Sequence, residues 1–355
     1  MKIYSCCIPT ENELKREIDN LATESGICPF CRKESKFLES EKVSTFISRV
    51  LDCLVPSKTG NLDLRSFFYK YVRIFRDDAS NRIEYYLQDT KYDLNAKYDY
   101  NDEIKQVLVD WDKFKNEVKT IRRFTIFDRY LDEKGWDALL TNNDLIYDLD
   151  SSVLLYRARI HDKLVNEAYA QKDILPQFPN YFEGRAHPIG IKCIYLSKER
   201  DTTLYETRVS KLDNVTIAEF RLKNKKRIFD LASSIVCFLN LSSSENERDI
   251  STILKRNLLL NKISEELSKP IHRHDSPIEY IPTQIICEYI SYLNNVDGIQ
   301  YSSSMNGKGT NIVLFNFSDI EMEMQNAVLF NVKDVTIEYE EKNKTPMQEF
   351  QIVKM

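Results

Sequence analysis

The chain has 355 residues, with 50 lysines and arginines against 55 aspartates and glutamates, which gives a formal net charge of −5 at pH 7. This balance argues against nucleic acid as the main partner, because proteins that bind phosphate backbones are normally basic. No stretch approaches the roughly 20 apolar residues of a membrane helix, and the N-terminus lacks the apolar run of a signal peptide. We therefore expect a cytoplasmic protein without a membrane partner, and the length predicts two domains.

Four cysteines surround the first predicted helix, Thr10 to Asn20. Cys6 and Cys7 precede it, and Cys28 and Cys31 follow it as a Cys-x-x-Cys knuckle. Two thiolate pairs on separate turns can complete a tetrahedral zinc site, and we predict Cys7, Cys28 and Cys31 as ligands. Adjacent cysteines lack the usual two-residue spacing, so a turn of free thiols is the alternative.

Residues 42–147 have the apolar spacing of helices, most clearly in VSTFISRVLDCLV, LRSFFYKYVRIF and EIKQVLVDWDKFKNEV. The aromatic stripe at residues 67–75 is typical of a helix packing face rather than a ligand groove. Residues 85–100 are rich in tyrosine and aspartate without a period, which predicts a surface loop. We therefore predict a mainly helical N-terminal domain over residues 1–148.

Residues 149–355 form the second predicted domain, where strands and helices mix without strict alternation. This pattern predicts an α+β fold rather than a doubly wound sheet. Helices are expected at 249–267 and 282–293, and strands at 153–160, 191–196, 214–222, 311–315, 327–330, 335–339 and 350–353. No Gly-x-Gly-x-x-Gly motif or Walker lysine loop is present, so nothing favours a Rossmann or P-loop fold.

Five of the eight glycines fall in two loops of this second domain, at positions 184 and 190 and at positions 298, 307 and 309. A chain that otherwise avoids glycine needs it there for positive φ or for close backbone approach. A strand and a helix that presents Glu206 follow the first loop. This combination predicts the wall of a small-molecule site.

Four motifs in the second domain resemble the RES domain family, named for its arginine, glutamate and serine. They are YRARI from Tyr156, GRAHPIGIKCIYLS from Gly184, LYETR before Val209, and DGIQYSSSMNGKGTNIVLF from Asp297. The resemblance covers residues 150–320, and the first half is similar to a helical domain that accompanies some RES domains. It implies a fold like that of ADP-ribosyltransferases, which binds NAD+ and cleaves its nicotinamide–ribose bond. It also implies a bacterial toxin with a cognate antitoxin or immunity protein as partner.

Carried over by motif, the family's arginine, glutamate and serine fall on Arg157, Glu206 and Ser303. The chain departs from the family pattern at His187, where asparagine is usual, and at Ser302, where proline is usual. These departures affect loop geometry more than chemistry.

The expected roles follow from the chemistry of the bond. Cleavage to a cationic leaving group builds positive charge on the ribose, which the Glu206 carboxylate can stabilise. Guanidinium groups match phosphate oxygens, so Arg157 and Arg185 are predicted to bind the pyrophosphate. Tyr195 can stack on the nicotinamide, and Ser303 can hydrogen-bond its carboxamide or the ribose.

Each of these residues also has a structural alternative. Glu206 can be a solvated helix residue paired with Arg208 or Lys198, the arginines can be surface ion-pair partners, and Tyr195 can belong to the core. The acceptor of ADP-ribose stays open between water, phosphate and a protein. A catalytically inactive interaction module is the competing hypothesis of another class.

Overall fold

The computed structural model describes residues 2–10, 13–39, 41–76, 82–87, 92–125, 130–131, 135–176, 183–233, 250–269, 277–306, 309–318 and 321–336. The predicted strand at 350–353 and most of the one at 335–339 lie outside these residues. Within them, no helix combines the length and the apolar character needed to cross a membrane.

The N-terminal part is mainly helical, as predicted, and two small sheets accompany the helices. The helices are α1 (Glu13–Leu21), α2 (Glu41–Asp52), α3 (Leu64–Phe67), α4 (Arg82–Leu87), α5 (Asp102–Thr120) and α6 (Asp137–Leu140). The strands are β1 (Lys2–Tyr4), β2 (Glu24–Ile27), β3 (Glu34–Glu39), β4 (Leu54–Pro56) and β5 (Tyr98–Tyr100). Asn101 immediately precedes helix α5, and its side-chain oxygen accepts a hydrogen bond from the Ile104 N–H at 3.0 Å, as an N-cap does.

The prediction of a surface loop over residues 85–100 is wrong at both ends. Helix α4 begins at Arg82 and continues to Leu87, and β5 pairs with β4 at the other end of the segment. Tyr98 is 1% exposed, and its hydroxyl donates to the carbonyl oxygen of Asp93 at 3.0 Å. Tyr98 is thus a core residue that uses its hydroxyl group locally, which the lack of a sequence period did not reveal.

The C-terminal part is built on a sheet of eight strands, which confirms the α+β prediction. The strands are β6 (Ile146–Leu149), β7 (Leu155–Ile160), β8 (Cys193–Ser197), β9 (Asn214–Leu222), β10 (Lys226–Asp230), β11 (Gly298–Ser302), β12 (Thr310–Phe315) and β13 (Met322–Asn331). Their order is β13-β9-β7-β8-β12-β11-β10-β6. Only the pair of β10 and β11 is parallel, and the other pairs are antiparallel.

Helices pack on the sheet, and two of them also contact the helices of the N-terminal part. The helices of this part are α7 (Gln171–Ile174), α8 (Arg200–Thr207), α9 (Ile250–Ser268) and α10 (Ile281–Asn294). Along β12, Ile312 and Leu314 belong to the core on the α7 face, and Val313 belongs to the core under α9 and α10. This alternation is expected of a strand with both faces buried.

The core under α9 and α10 continues without interruption into the N-terminal helices. Trp111 and Phe114 of α5 lie in the same apolar cluster as Leu260 of α9 and Ile286 of α10. The predicted boundary at residue 148 falls inside β6, the strand at one edge of the large sheet. The two predicted domains therefore share one core.

Candidate functional site

A cleft of about 320 Å³ opens where two neighbouring strands of the large sheet separate. Strands β7 and β8 are paired at a single position, Tyr156 opposite Ser197, whereas β7 pairs with β9 at six positions. Residues of both strands line the cleft beyond that pair, and α8 packs against both strands beside it. The sheet thus provides a gap in which side chains from several elements converge.

Arg157 on β7 spans this gap. Its Nε donates to the carbonyl oxygen of Ile174 at 2.9 Å, and its Nη1 donates to the carbonyl oxygen of Tyr195 on β8 at 3.0 Å. Burial, reinforced by the nearby charge of Arg159, lowers the pKa of the Arg157 guanidinium to about 10, so it stays charged at neutral pH. No carboxylate of the described residues pairs with it, so the cleft contains a cation that lacks a counter-charge.

Glu206 on α8 is held by two hydrogen bonds to the same carboxylate oxygen. Ser303 Oγ and Asn311 Nδ2 each donate to Oε1 at 2.7 Å. Ser197 Oγ donates to Asn311 Oδ1 at 2.7 Å, which fixes the orientation of the amide. The donors are buried while Glu206 is exposed, and its second oxygen has no hydrogen-bond partner among the described residues. One oxygen of Glu206 is thus fixed and the other is available.

The loop that carries Ser303 is tied to the start of α8. The backbone N–H of Asn306 donates to Ser303 Oγ at 3.1 Å, and Asn306 Nδ2 donates to Thr202 Oγ1 at 2.9 Å. A Cβ on Gly309 would lie 2.3 Å from Thr202 Oγ1, so only glycine allows the loop to approach the helix this closely. The serine and the glutamate are therefore positioned by one connected structure.

The turn from Gly184 to His187 forms another part of the cleft wall, through Gly184 and Arg185. Tyr195 is half-buried below it, and its hydroxyl accepts a hydrogen bond from the Ala186 N–H at 3.1 Å. A Cβ on Gly184 would lie 2.4 Å from that hydroxyl, which explains the glycine that the sequence places here. Gln284 Nε2 donates to the carbonyl oxygens of Gly184 and His187 at 2.9 and 3.0 Å, so α10 holds the turn in place.

Arg185 extends from this turn to the end of α9. Its Nη1 donates to the carbonyl oxygens of Glu266 and Leu267 at 3.2 and 3.0 Å, and its guanidinium lies 6.0 Å from the centre of the Tyr280 ring. Burial lowers the pKa of Arg185, and no carboxylate of the described residues pairs with it. Arg185 therefore serves as a helix C-cap as well as lining the cleft.

The structure brings the five residues predicted for the NAD+ site together. Arg157, Arg185, Tyr195 and Glu206 line the cleft, and Ser303 is bonded to Glu206. Among the described residues Glu206 forms no ion pair, so the alternative pairings with Arg208 and Lys198 are not observed. The sequence reasoning missed Asn311, although an asparagine inside the apolar strand TNIVLF was a signal.

The cysteine cluster lies in the N-terminal part, where the Sγ atoms of Cys6, Cys7 and Cys28 all lie within 4.8 Å of one another and Cys31 joins them through its contact with Cys6. The Sγ atoms of Cys6 and Cys31 are 3.3 Å apart, those of Cys7 and Cys28 are 3.3 Å apart, and those of Cys6 and Cys7 are 3.9 Å apart. The sequence prediction of three ligands thus left out Cys6, which lies within the cluster. Burial opposes ionisation of Cys28, but hydrogen bonds from the Cys31 and Phe30 N–H groups outweigh it and lower its pKa to about 7.

Comparisons with known proteins identify the C-terminal part. Residues 154–329 match the family model described as "RES domain", a range that begins just before β7 and ends within β13. Among solved structures, the crystal structure of the M. tuberculosis MbcT-MbcA toxin-antitoxin complex aligns with a TM-score of 0.31 and 12% sequence identity, covering 56% of this chain and 93% of that chain. No curated protein matches this chain. The resemblance expected over residues 150–320 is confirmed by the family match.

Proposed function

Because residues 154–329 form a RES domain, we propose that this protein consumes NAD+ by cleaving the bond between its nicotinamide and its ribose. The observation that carries this proposal is the pairing, within one cleft, of a carboxylate with one free oxygen and a guanidinium without a counter-charge. The first group suits a developing cation and the second suits a phosphate. Both are needed for a substrate with a pyrophosphate and a cationic leaving group.

Arg157 is assigned to the pyrophosphate of NAD+. Two of its five N–H donors are used by the Ile174 and Tyr195 carbonyls, and these bonds fix the orientation of the guanidinium. The remaining donors can bind phosphate oxygens as a fork. Arg185, which also lines the cleft, would add a second positive charge, and Tyr195 would offer a surface for the nicotinamide ring.

Glu206 is assigned to the transition state. As the glycosidic bond lengthens, positive charge develops on the ribose, and the free carboxylate oxygen stabilises it or holds the 2′-hydroxyl. Ser303 has a single hydroxyl proton, which it donates to Glu206, and it accepts a hydrogen bond from Asn306 N–H. We therefore assign Ser303 to orienting the carboxylate, in place of the direct bond to the carboxamide that the sequence suggested.

The acceptor of ADP-ribose distinguishes three outcomes of the same bond cleavage. Water gives a glycohydrolase, inorganic phosphate gives a phosphorylase, and a protein side chain gives an ADP-ribosyltransferase. We place the first two ahead of protein modification, and all three ahead of an inactive module because Arg157, Glu206 and Ser303 are all present and assembled. A role as the toxin of a toxin–antitoxin or defence system, with a cognate antitoxin as partner, follows from the family resemblance.

The test is turnover of NAD+ by the purified protein, with products separated by mass spectrometry. Incubation without phosphate should release nicotinamide and ADP-ribose, and added phosphate should yield ADP-ribose 1″-phosphate if the enzyme is a phosphorylase. Release of nicotinamide with neither product would indicate transfer to protein. Absence of any nicotinamide release, with NAD+ binding intact, would favour the inactive module.

Expression in bacteria provides a second test of the toxin role. The protein alone should lower cellular NAD+ and arrest growth, and a variant that lacks the Glu206 charge should not. Normal NAD+ in cells that contain ample soluble protein, purified free of any bound inhibitor, would contradict the proposal.

We also propose that Cys6, Cys7, Cys28 and Cys31 hold a structural zinc ion. Tetrahedral zinc with bonds of about 2.3 Å to sulfur requires sulfur atoms about 3.8 Å apart, and the three contacts of 3.3, 3.3 and 3.9 Å that link the thiols are close to this distance. Cys6, Cys7 and Cys28 form the compact part of the site, and Cys31 would complete the set from its position beside Cys6. The ion would link the residues after β1 to the turn after β2. These four cysteines form no disulfide that could make the same link.

Elemental analysis of protein purified without added metal tests this site. About one zinc per chain is expected, and Cys28→Ser should lose it, whereas Cys53→Ala should keep it because Cys53 is buried outside the cluster. A well-folded wild-type protein without zinc would leave the free-thiol turn as the correct interpretation.

A further inference from the structure

The last turn of α9 contacts two parts of the proposed NAD+ cleft, the turn that carries Arg185 and the loop that carries Ser303. The carbonyl oxygens of Glu266 and Leu267 accept hydrogen bonds from Arg185 Nη1 at 3.2 and 3.0 Å, and Leu267 itself lines the cleft. These carbonyls are among the last of the helix, which have no partner within the helix itself. A shift of this turn would therefore move the Arg185 guanidinium.

The same turn is bonded to the loop that holds Ser303. Ser268 Oγ donates to the carbonyl oxygen of Ser302, and Ser304 Oγ donates to the carbonyl oxygen of Ser268. These two bonds flank Ser303, whose hydroxyl holds Glu206 at 2.7 Å. The position of the α9 end therefore bears on the guanidinium and on the carboxylate together.

A residue of the N-terminal part holds this end of α9. Lys115 Nζ on α5 lies 2.9 Å from Glu266 Oε1, and each of the two side chains is only 21% exposed. Lys115 also lies 3.0 Å from Asp112 Oδ1, which fixes its ammonium group from the other side. A cation beside the C-terminal turn of a helix is also favoured by the helix dipole. The pair thus connects the helical part of the chain to the turn that supports the cleft.

We propose that Lys115 is a positioning residue for NAD+ cleavage, acting through Glu266 on the last turn of α9. The inference rests on the proposed function of the cleft. It assigns to the N-terminal helical part the task of maintaining the geometry of the site, over and above any binding of a partner. Lys119 on the same face of α5, 2.5 Å from Glu279 Oε2, steadies the neighbouring turn that carries Tyr280.

The test compares Lys115→Met with Lys113→Met, a matched change on the same helix. Lys113 is 55% exposed on its side chain and pairs with Asp110, and neither residue lines the cleft. Lys115→Met should lower kcat/KM for NAD+ on the order of tenfold, the scale of coupling carried by a contact network. Lys113→Met should stay within about twofold of wild type. Lys115→Arg, which keeps the charge, should recover most of the loss.

Glu266→Gln breaks the pair from the other side and should give the same loss. The double variant Lys115→Met/Glu266→Gln should be no worse than either single variant, because both remove one interaction. Equal kinetics for Lys115→Met, Glu266→Gln and Lys113→Met would overturn the inference. Effects of the two single variants that multiply in the double variant would overturn it as well.

Hydrogen exchange separates this inference from the proposed function. Backbone amides of residues 183–187 and 302–306 should exchange faster in Lys115→Met than in Lys113→Met, whatever reaction the cleft performs. This difference between the two variants, together with no NAD+ turnover by the wild-type protein, would refute the proposed function alone. Unchanged exchange together with normal wild-type turnover would refute the positioning role alone.

Discussion

The Glu206→Gln variant tests the proposed chemistry most directly, because it removes a charge without removing a contact. The two hydrogen bonds of Glu206 converge on one oxygen, Oε1, from Ser303 and Asn311 at 2.7 Å each. The side-chain carbonyl of glutamine can accept both, with its amide in place of the free oxygen. The side chain should therefore keep its position, and the protein should fold normally.

The size of the expected effect follows from the environment of the carboxylate. Loss of one electrostatic stabiliser of a transition state costs about 10² to 10³ in rate, equivalent to about 3 to 4 kcal/mol. Glu206 is exposed, so solvent screens part of its charge, and we expect the lower end of that range, about 10². Affinity for NAD+ should change little, because the positive charge on the ribose that Glu206 stabilises develops only as the glycosidic bond breaks.

The assay is nicotinamide release at saturating NAD+, alongside calorimetric binding of NAD+ to each variant. Asp201→Asn is the matched control, because it removes one exposed carboxylate from the same helix at a residue that does not line the cleft. It should stay within about twofold in kcat. A Glu206→Gln protein with wild-type kcat would show that another carboxylate does the chemistry. An equal loss in both variants would show that the effect is one of net charge.

Further predictions concern the arginine, the glycine turn and the half-buried His161. Arg157→Met should weaken NAD+ binding as well as turnover, because the guanidinium has no protein counter-charge and serves the substrate before and during the reaction; calorimetry should reveal the loss of affinity. Gly184→Ala should lower stability by about 1 to 3 kcal/mol and reduce turnover, because its Cβ would lie 2.4 Å from the Tyr195 hydroxyl; thermal denaturation measures this. The pKa of His161 is lowered, first by burial and then by Arg159, so the unfolded chain binds a proton more readily than the folded one. Stability should therefore fall as pH drops below about 6.5, and His161→Asn should reduce that dependence in urea titrations at pH 5 and 7.5.

The sequence predicted the strands whose apolar residues form a continuous run. The strand expected at 214–222 has those bounds in the structure, and the helix expected at 282–293 is one residue shorter at each end than α10. Strands β10 and β11 escaped notice because RIFD is short and GIQYS contains a glycine and a serine. Their pairing with each other, across about 70 residues of chain, decides their conformation, and propensity alone does not report such a partner.

The same holds for the site: residues in short local motifs could be predicted, whereas residues whose role depends on a partner far away in the chain could not. Arg157, Glu206 and Ser303 could be named because each lies in a motif that is readable as a short string. Asn311 is visible as a polar residue inside an apolar strand, but its role could not be predicted, because that role depends on Ser197, which is 114 residues earlier in the chain and becomes its neighbour only through the pairing of β8 with β12. The hydrogen-bond partners of a catalytic side chain are set by sheet register, which a single sequence does not specify.

The core shared by α5, α9 and α10 has a consequence for genetics. Trp111, Phe114 and Trp136 pack within 6 Å of one another, ring centre to ring centre, in a cluster that also contains the buried faces of α9 and α10. A substitution that opens a cavity there removes support from the half that contains the cleft as well as from the helical half. A selection for bacteria that survive expression of this protein should therefore recover missense changes on both sides of residue 148. The substitutions recovered before residue 148 should occur mainly at buried aromatic residues rather than at surface residues.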